Sequence, residues 1–308
     1  GYVKKIRDKG INVIEVGANI RGTGLFNKIQ YAFDLIRIFK QNHFNIIHTY
    51  RLQPNIIGTF LAGIFTKSKI INHITGLGTA FNYSSFKYKL MQLITISLYK
   101  TNYYLFEPIS IFQNKQDIKD LGISKKSYCV KGSAVNEERF CDKLISVKKR
   151  NIIEKKFDIL QNETISFLFV SRLLLEKGVF ELIEAFKLAS KENKIQLLIV
   201  GWFDRDNNSS VNENFLNEMI SGHDNIKLLG KQTDIPEIIS LSDVSILPTY
   251  YREGTPRFLL ESMAMKKPII TTRMPGCEHL IRNGENGILI EPRSVQEIKM
   301  AINDICKK

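Results

Sequence analysis

The sequence predicts an α/β protein made of two doubly wound domains with parallel sheets. Three observations carry this. Short apolar runs rich in Ile, Val and Leu alternate with helix-length amphipathic segments. Most of these runs are apolar on consecutive positions, as in parallel strands buried on both faces. At 308 residues the chain has room for two such domains, each with its own core.

Strands are expected at 11–16, 45–48, 69–74, 102–106 and 127–130. A second series is expected at 165–170, 196–200, 225–228, 244–247, 268–270 and 287–290. Between them lie helical patterns. Residues 180–189 read FELIEAFKLA and put Leu182, Ile183, Phe186 and Ala189 on one face. Residues 258–265 and 296–305 show the same stripe. Strands alternating with helices imply βαβ units.

The pattern breaks at 146–163, a charged stretch that includes Lys148-Lys149-Arg150 and Lys155-Lys156. It divides the chain into a first domain at 1–145, a linker at 146–163 and a second domain at 164–308. A helix end precedes the first strand, but no earlier strand precedes that helix. The chain stops in or just after a helix. Both ends therefore read as cuts, with the first domain incomplete at its start.

Composition narrows the function classes. Hydrophobic residues make up 44% and charged residues 24%, the balance of a globular chain. The net charge of +13 favours an anionic partner, namely nucleic acid, a membrane face or a phosphorylated substrate. Lysines scattered over a solvated surface explain it equally well. The four cysteines show no C-x-x-C spacing, and no histidine stands close enough to suggest zinc, so a reduced, cytoplasmic setting is expected. No stretch approaches the ~20 apolar residues that span a bilayer. The longest, 90–106, is interrupted by Gln92, Lys100 and Asn102. Membrane contact is expected to be peripheral.

The chemistry is concentrated between Ile246 and Pro292. A strand ends at Leu247-Pro248. A loop with Glu253, Gly254, Thr255 and Pro256 follows, and a helix begins near Pro256, a residue suited to a first turn. Ligands of open α/β sheets bind beyond the carboxyl ends of the strands, where this loop falls. Gly254 allows close backbone approach, and the unpaired N–H groups of the helix start can hold a phosphate. Glu253 and Glu261 stand eight residues apart, and each carboxylate can accept a pair of hydroxyl hydrogen bonds of the kind that a sugar or ribose offers. The plain reading of Glu261 is a solvated helix residue. Its apolar neighbours Leu259, Leu260 and Met263 weigh against that.

Glu253 through Glu261 resembles the E-x7-E motif of glycosyltransferase family 4. Residues 267–292 resemble the downstream segment of that family, and Val170 through Gly178 resembles its "vgRl...KG" segment. All three occur in the family's order. The resemblance implies a GT-B fold, two Rossmann-like domains with parallel sheets facing across a cleft. It implies that Arg172 and Lys177 hold the donor pyrophosphate, chemistry that a guanidinium fork and a mobile ammonium suit. It implies that Glu253 contacts the donor sugar, Glu261 the nucleotide ribose, and Gly254, Thr255 and Pro256 the phosphate. The stretch Lys231–Ile235 would lie beside the base. Gly132 and Ser133, in a family-like segment at 131–136, would approach the donor. Phe112-Gln113-Asn114 also resembles a family segment. Thr75, Gly76 and Gly78 resemble the acceptor-side loop, with Thr75 where many members carry a histidine. His48 and His73 read as structural.

The activity implied is retaining hexosyl transfer from a nucleotide-sugar, expected to be UDP-linked and an N-acetylhexosamine, to a glycan or lipid-pyrophosphate acceptor in surface-polysaccharide synthesis. Front-face displacement needs positioning and charge stabilisation, and no metal or other cofactor is required if Arg172, Lys177 and the helix start supply them. Asp204-Arg205-Asp206 matches a D-x-D metal motif but reads as a turn. Lys87, Lys89 and Lys100, interleaved with Phe86, Tyr88, Leu90 and Ile94, form a basic and apolar surface for an anionic membrane; an ordinary amphipathic helix over a core is the plain alternative. A nucleotide-sugar epimerase on the same fold and a non-catalytic GT-B protein are the competing readings. Nucleic-acid binding, suggested by charge alone, lacks any of its usual modules.

Overall fold

The computed structural model describes residues 2–16, 25–78, 81, 83, 85–130, 132–160 and 163–307. Twelve α-helices and ten β-strands are assigned among them. In chain order these are α1 (Tyr2–Arg7), α2 (Leu25–Gln41), β1 (Ile46–Tyr50), α3 (Leu52–Phe65), β2 (Lys69–Ile74), α4 (Phe86–Phe106), β3 (Ile109–Phe112), α5 (Lys115–Leu121), β4 (Ser127–Cys129) and α6 (Val147–Lys156). There follow β5 (Ile165–Val170), α7 (Val179–Ala189), β6 (Ile195–Val200), α8 (Glu213–Ile220), β7 (Ile226–Gly230), α9 (Ile235–Ser240), β8 (Val244–Leu247), α10 (Arg257–Ala264), β9 (Ile269–Thr272), α11 (Pro275–Glu278), β10 (Gly287–Ile290) and α12 (Val295–Cys306).

Contacts divide the chain into two compact units. One comprises Gly1–Ile74, Thr95–Ile111 and Ile123–Tyr128; the other comprises Thr75–Ile94, Phe112–Gly122 and Cys129–Lys308. The segments 75–94 and 112–122 thus pack with the second unit although they precede the expected linker in sequence.

The first unit is built on a sheet of order β1-β2-β3-β4. Strands β1 and β2 run parallel, with Ile47 beside Ile70. Phe39, Ile47, Leu61, Ala62 and Ile70 form its apolar core. A polar knot lies beside them. Thr59 donates to Asn72 Oδ1 at 2.7 Å, and the Thr49 hydroxyl lies 2.9 Å from the same oxygen.

The second unit has a sheet of order β10-β9-β8-β5-β6-β7. The pairings of β5 with β6 and β8, of β6 with β7, and of β9 with β8 and β10 are all parallel. Burial explains the unbroken apolar runs. Every residue of β6, β8 and β9 is buried. Helix α7 closes on the sheet through Leu182, Ile183, Phe186 and Ala189, the stripe legible in the sequence.

Two expected strands are corrected. Residues 11–16 are irregular and largely exposed, and no strand partner pairs with them among the described residues. An apolar run becomes a strand only where a neighbour supplies the backbone hydrogen bonds. Residues 102–106 are the last turn of α4. Tyr99, Asn102 and Tyr103 are its buried residues, spaced three and four apart, which is a helical stripe. Asn102 Nδ2 donates to the Ile56 carbonyl at 2.7 Å. The strand of this region is β3, a few residues later. The charged stretch at 146–163 also holds α6, whose Ile153 joins the core of the second unit.

Candidate active site

The site residues gather above the carboxyl ends of the second unit's strands. The chain leaves β5 through Ser171-Arg172, makes one 3-10 turn at Leu175–Lys177 and enters α7 through Gly178. Gly178 has φ +75°, and a Cβ there would lie 2.2 Å from the Pro248 carbonyl oxygen. Only glycine allows that turn and that approach. The β5 loop is thereby pressed onto the loop after β8. The Glu176 carbonyl reinforces the contact, accepting from the Tyr250 N–H at 2.9 Å and from the Thr249 hydroxyl at 3.1 Å.

Lys177 is almost fully buried and ion-paired to Glu253. Its ammonium also lies 5.3 Å from the centre of the Tyr251 ring. A lysine this deep needs a carboxylate partner, which Glu253 supplies. Arg172 pairs with Asp204 Oδ2 at 2.8 Å. Asp204, the first residue of the D-x-D string, is therefore an arginine partner, and Arg205-Asp206 form a turn. Among the described residues no group of three or more His, Cys, Asp or Glu side chains is placed to hold a metal ion.

Glu261 stands in the second turn of α10, and Pro256 caps that helix. Its side chain is 13% exposed and accepts from Arg257 Nη2 at 3.3 Å. Burial raises its pKa, while the charges of Arg257 and Arg139 oppose the shift. Arg139 donates to the Thr233 carbonyl at 3.1 Å, so the expected base region at 231–235 and the carboxylate of Glu261 share an arginine neighbour.

The backbone of Gly254 and Thr255 is enclosed from three sides. The Gly254 N–H donates to the Thr75 carbonyl at 2.9 Å, and the Thr255 N–H to Gln113 Oε1 at 3.1 Å. A Cβ on Gly76 would lie 2.7 Å from the Arg252 carbonyl oxygen, and one on Gly132 would lie 2.4 Å from Thr255 Oγ1. Gly78 sits beside the Tyr251 hydroxyl, 3.9 Å from the equivalent point. Thr255 Oγ1 is buried and has no hydrogen-bond partner. Thr75, Gly76, Gly132, Gly254 and Thr255 are thus one packed cluster. Ser133 follows Gly132 and is partly exposed, and Lys131 of the same segment lies outside the described residues.

Three participants carry no role in the sequence reading. Gln113 is the backbone acceptor for Thr255. Gly276 at the start of α11 supports the loop from beneath, where a Cβ would lie 2.3 Å from the Gly254 carbonyl oxygen. Glu176 is buried, its Oε1 accepting from Tyr83 at 3.0 Å and Ser209 at 2.7 Å, its Oε2 without a partner. Burial and that carboxylate push the Tyr83 phenol up to about 12. Gln113 and Gly276 lie in segments that resemble the family, which is the signal that could have found them. Glu176 also lies in such a segment, Val170–Gly178, but at a position its pattern leaves open, and a charged residue in a loop normally reads as surface.

A family described as "Glycosyl transferases group 1" matches residues 150–308. The chain belongs to this family. A second match, described as "Glycosyl transferase 4-like", covers residues 3–112. The transferase is 26% identical over 306 residues to the N,N'-diacetylbacillosaminyl-diphospho-undecaprenol alpha-1,3-N-acetylgalactosaminyltransferase of Campylobacter jejuni, covering 98% of this chain and 78% of that protein. It is 25% identical over 305 residues to the UDP-Gal:alpha-D-GlcNAc-diphosphoundecaprenol alpha-1,3-galactosyltransferase of Escherichia coli, covering 96% and 75%. Among solved structures, a glycosyltransferase from Rickettsia africae superposes with a TM-score of 0.75 at 24% identity, over 99% of this chain and 77% of that one. The fold of the transferase is GT-B, with its two parallel α/β sheets, and its family resemblance in sequence is borne out.

Proposed function

We propose that this glycosyltransferase moves a hexosyl residue from a UDP-sugar to a sugar carried on a lipid diphosphate, with retention of anomeric configuration, in the assembly of a surface polysaccharide. The observation that carries the reading is the buried Lys177–Glu253 ion pair at the loop 249–256, with Arg172 on the loop after β5 and Glu261 on the helix that follows the loop. In this reading the two cations neutralise a leaving diphosphate and the two carboxylates accept hydroxyl pairs. Without substrate, Asp204 and Glu253 occupy the two cations. A diphosphate would take over these positive charges, and Glu253 would turn to the sugar hydroxyls. The unpaired Thr255 hydroxyl is a further donor for a phosphate oxygen.

In this reading the donor C1–O bond breaks as the acceptor hydroxyl approaches on the same face. The hydroxyl proton passes to the departing phosphate oxygen. The protein contributes orientation and charge stabilisation, and no side chain attacks the sugar. The relatives from Campylobacter jejuni and Escherichia coli are named for diphospho-undecaprenol acceptors, and one is named for a UDP-sugar donor. An N-acetylhexosamine donor and a peripheral position on the inner face of the membrane complete the proposal. No helix of the described residues is long and apolar enough to cross a membrane. Along α4, however, Phe86, Leu90, Leu93 and Ile94 are exposed beside Lys87 and Lys89.

Calorimetric titration of UDP and of GDP tests the donor site. UDP is expected to bind, and Arg172→Ala and Glu261→Ala are each expected to weaken it roughly 10- to 100-fold, the range for a lost charge-assisted hydrogen bond. Equal binding by the folded variants would remove the donor assignment. The anomeric coupling of the product, read by NMR, would expose an inverting mechanism.

A further inference from the structure

A pocket of about 390 Å³ opens beside the same loop, within the second unit. Tyr250 and Arg252 reach it from the loop after β8, Met274 from the end of β9 and Arg293 from the end of β10, while Phe81 closes another side. Arg172 and Lys177 follow β5, on the other side of Glu253 in the strand order β10-β9-β8-β5. The pocket therefore shares the ligand-binding rim of the sheet with the donor residues without using any of them.

Arg293 is the unusual member. Its φ is +62°, a left-handed conformation that costs an ordinary L-residue and that glycine adopts freely. It precedes Ser294, whose hydroxyl caps α12 by accepting the Glu297 N–H at 3.2 Å, and that cap needs no arginine before it. Its guanidinium lies 4.2 Å from the centre of the Tyr250 ring and 5.8 Å from that of Tyr83. It makes no ion pair within 4 Å among the described residues, though it hydrogen-bonds Tyr250, and burial raises the pKa of the Glu181 carboxyl while the Arg293 charge opposes that rise. The neighbouring Arg252, by contrast, pairs with Asp117 and Asp120. A strained backbone that persists under an arginine stacked on tyrosine points to a use for that side chain.

We propose that this pocket is the acceptor subsite, with Arg293 pairing with the acceptor diphosphate and Phe81 and Met274 lying against its sugar ring. The inference rests on the lipid-diphosphate acceptor proposed above. A guanidinium fork matches phosphate oxygens two at a time, and an apolar wall suits the C–H face of a pyranose. Tyr250 and Arg252 of the pocket belong to the same loop as Glu253, the carboxylate assigned to the transferred sugar, so an acceptor held there borders the donor site.

The test uses geranylgeranyl diphosphate as probe, titrated into the full chain with UDP at saturation. The wild type is expected to bind it, Arg293→Gln at least tenfold more weakly, and Arg293→Lys between the two, with UDP affinity equal in all three. Arg293→Gly separates strain from function. It is expected to melt a few degrees higher, about what relief of a left-handed residue gives, and still to lose the probe. Absence of binding to the wild type, equal binding by Arg293→Gln, or displacement of the probe by UDP would each overturn the assignment. UDP titrated alone reports separately on the donor reading, so failure of one is distinguishable from failure of the other.

Discussion

The two sheets treat their faces differently. In the second unit β6, β8 and β9 are buried from end to end. In the first unit β1 buries Ile47 but leaves Ile46 56% exposed, and β3 leaves Ile109 exposed. The interiors differ as well. The first unit holds a neutral knot of Thr49, Thr59 and Asn72 and a buried carboxyl, Asp34, while the second buries more ionisable side chains, among them Lys177 and Glu176 in a loop and Asp117 on α5. A sheet covered on both sides gives its rim loops a rigid base, and buried charges can be held there at fixed positions. This is where the proposed donor and acceptor groups lie.

The sharpest way to break the comparison is to remove one apolar side chain from each sheet. Phe167 on β5 is fully buried and packs edge-on against Phe186 at a centroid distance of 6.0 Å. Phe167→Ala is expected to cost about 3–5 kcal/mol. Ile46→Ala on β1 is expected to cost under about 1 kcal/mol, because more than half of that side chain already meets solvent. Urea denaturation of the two variants compares them, and similar losses would mean the first sheet is covered in solution.

A smaller effect comes from the buried charge of the second unit. Burial raises Asp117 from 3.8 to about 6, with the Arg252 charge and the Asn114 hydrogen bond pulling the other way and Asp120 adding to the rise. Between these values the folded chain keeps a proton that the unfolded chain has released. Stability from this group is therefore complete below about pH 4 and is lost as pH rises through about 6, a change of roughly 3 kcal/mol. Asp117→Asn is expected to flatten that slope in denaturation curves taken from pH 4 to 7. A slope unchanged in the variant would assign it to other groups.

The smallest effect concerns the surface. Lys87 on α4 is exposed beside Phe86 and Leu90. One lysine near an anionic bilayer is worth about 1 kcal/mol, roughly a fivefold change in partition. Lys87→Gln is expected to lower co-flotation with phosphatidylglycerol vesicles by that factor and to leave neutral vesicles unaffected. Identical flotation on both lipids would remove the electrostatic part of the membrane proposal.

The order of strands and helices from Ile165 onward was legible because burial on both faces writes itself into consecutive apolar positions. The site loop was legible because glycine, proline and two glutamates at fixed spacing stand between a strand and a helix. The first unit was harder to read. Residues 102–106 carry a strand-like composition, and only the i, i+3, i+4 burial of Tyr99, Asn102 and Tyr103 makes them helical. Residues 11–16 look like a strand until the absence of a pairing neighbour among the described residues decides otherwise.

By itself, the sequence determined the α/β class and the strand series of the second unit, which follow from local periodicity, and its motifs singled out Arg172, Lys177, Glu253 and Glu261 as candidates. Tertiary structure alone decided that Lys177 meets Glu253, that Arg172 meets Asp204 and that Gln113 accepts the Thr255 N–H. It also decided that Arg293, a residue with no motif of its own, stacks on Tyr250 above the same sheet edge. Each of these pairs joins loops that follow different strands. Their separation along the chain carries no pattern; the parallel order of the second unit's sheet brings its loop ends to one rim, whereas Gln113 follows β3 of the other sheet and reaches Thr255 through the segment 112–122.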